Sequence, residues 1–323
     1  MFTSFLVSAI SISSIFLLGC LGEIIMEKAG HLNLGLPGIM CTGAAGGCYG
    51  VYVYMTALSD PTTANYFVLI LLALLFSFLF AAMTGFIYSF LTITLRANQN
   101  ITGLALTTFG TGVAQYFINT FPVAEREKLL PMASKIMSQG FPFADDLGAF
   151  GKIFFSHSVF VYLAIILAVV AAIIFNRTRV GLHLRAVGES PATADATGIN
   201  VTGYKYVATL VGSGIAGLGG LFYLMIFSKG IWENSSTLEG LGWICIALVI
   251  FTLWRPTIAL LGSLVFGGLY IARPFLNWAI PAQIFNMFPF LLTIVVLIIT
   301  SILDSKKAQP PQSLGVNYFR EDR

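Results

Sequence analysis

Asn33, Asn98, Gln99, Asn100, Thr107, Thr108, Gln115 and Asn119 place uncharged amides and hydroxyls in or beside strongly apolar stretches. Such groups both donate and accept hydrogen bonds, so together they could line a path for a neutral polar solute. Phe109 and Trp243 would add ring faces for stacking. Taken singly, each suits a plainer duty better: a helix-cap amide, a bond between helices, or an aromatic at a membrane interface. A lining without charge fits an uncharged solute better than a zwitterion. Bond-breaking chemistry has no comparable set. His31, His157 and His183 lie scattered at segment ends, and no HExxH, Ser/His/Asp or GxxxxGK[ST] arrangement occurs, so no catalytic residue is expected. Cys20, Cys41, Cys48 and Cys245 lack CxxC spacing, which predicts buried free thiols and neither a metal site nor a disulfide framework.

Carboxylates are almost missing from the apolar segments, with Glu23 near the inner end of the first. Carriers driven by protons or sodium need an ionisable or densely polar site at mid-depth. The sequence therefore points to energy supplied from outside the membrane.

The elements that must hold these groups are membrane helices. Of 323 residues, 57% are hydrophobic and 10% charged, and the mean hydropathy is +0.87. A soluble domain carries about a quarter charged residues. A membrane helix needs about 20 mostly apolar residues. Runs at 4–26, 36–57, 66–95, 99–118, 158–175, 206–227, 241–255, 257–273 and 284–303 meet or approach that length. The expected fold is all-α: a polytopic transmembrane bundle of about nine spans, within a range of eight to ten. Residues 1–303 form one transmembrane domain, and 304–323, with Pro310-Pro311 and no apolar period, is expected to be a cytoplasmic tail with little fixed structure. Leu17-Leu-Gly-Cys20 has the look of a lipoprotein cleavage site, but residues 1–22 carry no charge, so the first segment is expected to stay as a helix.

Residues 176–206 are polar and hold Arg177, Arg179, Arg185 and Lys205 against Glu189 and Asp195, the cation excess of a cytoplasmic loop. Setting that loop inside puts the N-terminus outside and the C-terminus inside. Eleven of the 17 Lys and Arg residues then fall inside, and six outside: Arg126, Lys128, Lys135, Lys152, Lys229 and Arg273. The outer stretch 119–157 has balanced charges and Pro122, Pro131 and Pro142, which suggests a cap or a short surface helix. With cations spread over several loops, the net charge of +3 makes no basic patch for nucleic acid.

Two segments are rich in glycine. The second carries Gly35, Pro37, Gly38, Gly43, Gly46 and Gly47, and the seventh opens through Glu239-Gly-Leu-Gly-Trp243. Interrupted segments running in opposite directions can mark a transport path, and glycine permits close helix packing equally well. Both readings stand. Gly212, Ala216 and Gly220, four apart in the sixth segment, lean to packing.

Within the 176–206 loop, Ser190 to Gly198 reads as a two-turn helix with Ser190 as N-cap, Pro191 at the first helical position and Gly198 as terminator. Its small face suits a groove on a soluble partner; a plain solvated loop is the alternative. The stretch Arg185-Ala-Val-Gly-Glu-Ser-Pro-Ala-Thr-Ala-Asp-Ala-Thr-Gly-Ile-Asn-Val201 resembles the coupling-helix segment of ABC importer permeases serving branched-chain amino acids, simple sugars and nucleosides. Gly30-His-Leu-Asn-Leu-Gly-Leu-Pro-Gly-Ile-Met40, Asn98-Gln-Asn-Ile-Thr-Gly-Leu-Ala-Leu106 and Trp254-Arg-Pro256 with Leu264-Val-Phe-Gly-Gly268 resemble further parts of that family, in the same order. Pro37 departs from it where an acidic residue is frequent, and Thr107 where Asn is common.

The resemblance implies the transmembrane subunit of an importer in the bacterial cytoplasmic (inner) membrane. ATP and magnesium would sit on a separate ATPase subunit, with no cofactor in this chain. A second permease and an extracytoplasmic substrate-binding lipoprotein would complete the assembly. It assigns ATPase coupling to Gly188, Glu189, Ser190, Pro191, Ala192, Ala194, Asp195 and Gly198, with close contact requiring small residues at Ala192, Ala194 and Ala196. Arg96 to Ala105 and Phe288-Pro-Phe-Leu-Leu-Thr293 look most like nucleoside importer permeases, ahead of those for simple sugars and branched-chain amino acids. The rival class is an ATP-independent secondary carrier.

Overall fold

The computed structural model describes residues 2–232, 234–275, 281–285, 287–302 and 309–319. Among these, every regular element is helical: α1 (Phe2–Lys28), α2 (Leu36–Ala57), α3 (Tyr66–Ser89), α4 (Gln99–Asn119), α5 (Val123–Met137), α6 (Gly148–Phe155), α7 (Val159–Arg177), α8 (Arg179–Glu189), α9 (Pro191–Ala196), α10 (Val201–Phe222), α11 (Ser235–Phe251), α12 (Pro256–Ala272), α13 (Ala282–Phe285) and α14 (Phe288–Ile302). Single π-turns, Phe90–Thr94 and Tyr223–Phe227, extend α3 and α10. Starts are set by local chemistry. Side chains of Asn65, Asn98, Asn200 and Asn234 accept the free N–H groups that open α3, α4, α10 and α11.

Nine of these helices coincide with the nine apolar runs. The sixth begins earlier than its run, at Val201, because Asn200 caps it there. The break before Pro256 is a tight turn in which Leu253 and Trp254 are left-handed, with φ 53° and 55°. Five helices are long and apolar enough to cross a membrane: α1, α7, α3 and α10 with their π-turns, and α12 with the 3-10 turn Arg273–Phe275 that extends it. By the same measure α2 and α4 fall short in apolarity, and α11 and α14 in length. α2 can be less apolar because neighbours enclose it: residues 36–48 are all buried.

α1, α2 and α10 form the centre of the bundle. α1 is buried from Ile12 to Ile24, with α10, α11, α12 and α7 around it. α2 lies against α3, α10 and α4. Glycines let these backbones touch. A Cβ on Gly43 would lie 2.3 Å from Gly217 Cα, one on Gly220 2.0 Å from the Met40 carbonyl oxygen, and one on Gly22 2.3 Å from the Gly212 carbonyl oxygen. The glycines of α2 and α10 are therefore packing devices, as the spacing of Gly212, Ala216 and Gly220 suggested.

The stretch 119–157 holds two helices, α5 and α6. Ser134 Oγ of α5 donates to the Met225 carbonyl, 2.5 Å, and Tyr52 OH of α2 to Glu125, 2.5 Å. The expectation of an unstructured tail is corrected over residues 309–319; 303–308 and 320–323 lie outside the described residues. Ser313 N–H bonds Gly188 O at 3.0 Å, Gly315 N–H bonds Gly30 O at 3.3 Å, and Asn317 Nδ2 donates to Arg96 O at 2.7 Å. The segment is ordered by backbone and amide bonds, which leave no apolar period to read.

Candidate functional site

One end of the bundle gathers the last turn of α1, the starts of α2, α4 and α10, the helices α8 and α9, and the segment 309–319. Thr178 caps α8, which buries Gly181, Leu184, Val187 and Gly188 along one face. A Cβ on Gly188 would meet the Lys28 carbonyl oxygen at 2.3 Å, so α8 ends in direct backbone contact with the end of α1. Ser190 then opens α9, accepting from Thr193 N–H at 3.4 Å, with Pro191 in the first turn. Gly198 turns the chain back at φ 85°, in the left-handed region glycine favours, with open space around it.

The hairpin is tied to the bundle at several points. Glu189 Oε2 accepts from Gln312 N–H at 3.3 Å, Asp195 Oδ2 from Tyr318 OH at 2.8 Å, and His183 Nδ1 bonds the Tyr204 hydroxyl at 2.9 Å. Ala194 is buried with Val187 and Val201. This corrects its expected place on a partner-facing surface: the short helix needs one apolar side to hold it down, and Ala194 supplies it. Ala192, Thr193 and Ala196 remain exposed.

The expected path residues do not converge in the single chain. Asn33 is fully buried and structural: its Oδ1 accepts from Gly35 N–H at 2.9 Å and its own N–H bonds Glu23 Oε1 at 3.3 Å. Asn98 caps α4. Buried Gln99 accepts from Leu32 N–H at 2.9 Å and donates to Asn317 at 3.2 Å. Thr107 donates to Leu34 O at 2.8 Å. Gln115 accepts from the Trp232 indole at 3.0 Å and donates to Asn119 at 3.3 Å. Trp243 lines a separate cavity of about 570 Å³ with Tyr270, Phe285 and Pro289. Thr108, Phe109 and Asn100 are exposed, and with Ala105, Gly112 and Tyr116 they leave an open side on α4.

Sequence reasoning missed a buried carboxylate pair. Glu23 and Glu27, one turn apart on α1, are both buried, and the Trp254 indole N–H donates to Glu27. The i, i+4 spacing was visible, but the partner is more than 200 residues away. His31, in the loop after α1, is also buried, and neither ring nitrogen reaches hydrogen-bond geometry. Burial, then the charge of Lys205, holds its pKa well below the usual histidine range, while the Gln99 amide acts weakly the other way.

Over residues 5–297 the chain matches the family described as branched-chain amino acid transport system / permease component. It belongs to that family. The permease is 32% identical, over 97% of both chains, to a Haloferax volcanii protein provisionally named glucose ABC transporter permease protein TsgC13. It is 31% identical to the nucleoside ABC transporter permease protein NupC of Lactococcus lactis, covering 93% of this chain and 92% of that one. It is 30% identical to the guanosine ABC transporter permease protein NupQ of Bacillus subtilis, covering 95% and 93%. The permease is thus an ABC transporter component with membrane helices, and it is not an enzyme. The resemblance read from the four sequence stretches holds.

Proposed function

We propose that this permease is one of two transmembrane subunits of an importer in a bacterial inner membrane, coupled through α9 to a separate ATPase. An extracytoplasmic lipoprotein would deliver the solute, a nucleoside, and the second permease would be a different chain. The observation that carries the reading is the α8–α9 hairpin. It is a capped short helix whose outer side (Ala192, Thr193, Ala196) is small and exposed, and whose base is fixed to α1 at Gly188. A partner closing on such a helix moves α1 and α10 with it, as a nearly rigid lever. The N-terminus would be outside, and the end carrying α9 inside.

The open side of α4 supports the path. Ala105, Thr108, Phe109, Gly112 and Tyr116 present one hydroxyl, one phenol and ring faces, without charge. A second permease set against it would enclose a lumen suited to a ring-bearing neutral solute. NupC and NupQ favour a nucleoside, and TsgC13 favours a simple sugar as second reading. Branched-chain amino acids rank third, since a zwitterion would call for charged partners.

The test is uptake into proteoliposomes holding both permeases and the ATPase, with the binding lipoprotein and labelled guanosine, glucose or leucine. Guanosine uptake is expected. A binding lipoprotein that takes glucose and no nucleoside would overturn the substrate assignment.

A further inference from the structure

Beside α9 lies a polar cavity of about 280 Å³ that coupling and solute transport leave unexplained. It is walled by the start of α10, the end of α3, the loop after α1 and the segment 309–319, and its lining includes His31, Arg96, Asp195, Lys205, Asn317 and Tyr318. Lys205 is 3% exposed, yet its ammonium makes no hydrogen bond or ion pair with another described residue. His31 is 1% exposed with both ring nitrogens unbonded. Burying a polar ring without partners is costly, and chains avoid it unless something fills the gap. Among the described lining residues the one carboxylate, Asp195, already accepts from Tyr318. Val201 and Thr202 add the first turn of the 22-residue α10, where Asn200 takes up the Gly203 N–H and the earlier N–H groups have no partner within the helix. The Lys205 ammonium, a ring N–H and a helix start around one cavity form a site for an anion.

We propose that this cavity binds a small phosphate-bearing anion, held by Lys205, His31 and the start of α10. Its volume is near the lower end of ligand pockets, which leaves room for a modest organic group beside the phosphate. An occupant would touch α10, α3, the loop after α1 and the segment 309–319 together, and would stiffen the mounting of α9. The phosphate could come from a soluble metabolite or from a lipid headgroup at the membrane edge. The site does not depend on which solute is carried.

The test uses the full-length permease, purified apart from the ATPase, and follows thermal unfolding in sodium phosphate against sodium chloride at equal ionic strength. Phosphate is expected to raise the midpoint saturably, by about 2–5 °C. Lys205→Met should abolish the rise. Thr202→Glu should do the same by placing a carboxylate at the cavity, and Thr202 is exposed in the first helical turn, where Glu suits the fold. In nanodiscs of phosphatidylcholine alone, a phosphate-induced rise identifies a soluble ligand. If phosphatidylglycerol itself raises the midpoint of the unmodified chain but not of Lys205→Met, and phosphate then adds nothing, the headgroup is the occupant. No rise beyond chloride from either source, or a rise that survives in both variants, overturns the proposal.

Discussion

Asn33 shows how the same amide can be read two ways. In the fold its side chain caps the turn into α2, and its backbone N–H meets one oxygen of Glu23 inside the protein. Asn33→Ala should therefore cost about 1–2 kcal/mol of stability, the worth of a lost cap, while the KM for uptake stays unchanged. Thermal unfolding and transport kinetics on one preparation check this; an altered KM at unchanged stability would return Asn33 to the solute path. His31 gives a pH signature. Its folded pKa lies well below the ordinary 6.5, so the unfolded chain takes up the proton first as pH falls. The stability tied to neutral His31 is full above about pH 6.5 and is lost progressively below it, toward the folded value. The midpoint of unfolding should fall on acidification, with a smaller fall in His31→Asn. Which amides were structural could not be read in advance: Asn98, Gln99 and Gln115 find their partners at Ile101, Leu32 and Trp232, and only the first is close in sequence.

At the scale of elements, α9 separates two substitutions that look alike on paper. Ala196→Trp adds bulk on the exposed side and should block ATPase binding while the chain stays folded. Ala194→Trp instead overfills the space against Val187 and Val201 and should cost about 1–3 kcal/mol in the chain's own stability. Pull-down of the ATPase subunit alongside thermal unfolding distinguishes them; equal binding by the Ala196→Trp chain would make α9 only a loop. Gly198→Val meets no neighbour, so its cost is the left-handed backbone itself, about 1–2 kcal/mol. The segment 309–319 braces the hairpin through Ser313 and Tyr318. Deleting residues 309–323 should leave the chain inserted and make Arg179 and Arg185 more susceptible to trypsin, because local opening becomes easier. Unchanged cleavage rates would show that the brace is idle. The apolar runs and the caps of α9 were legible because they are local. α8 was hidden by mixed polarity, although Gly181, Leu184 and Val187 recur at helical spacing, and the brace was hidden because its bonds are to distant backbone.

For the whole molecule, the sequence lacked an obvious mid-depth carboxylate, and the structure brings Glu23 and Glu27 together near the C-terminal end of α1. Each accepts one bond, Glu23 Oε1 from the Asn33 N–H and Glu27 from the Trp254 indole, while Glu23 Oε2 is buried without a partner among the described residues. The pair therefore ties α1 to the turn before α12 and to the loop before α2, beside Lys28 and the Gly188 contact. Energy in this account enters at α9 and passes through α1 and α10. The most direct test is uptake of a labelled nucleoside into proteoliposomes holding the complete transporter, with the P-loop lysine of the ATPase subunit either intact or replaced. Uptake is expected to need ATP and to disappear with the replaced lysine, whatever ion gradient is imposed. Uptake that persists on a proton or sodium gradient with that lysine replaced would contradict it.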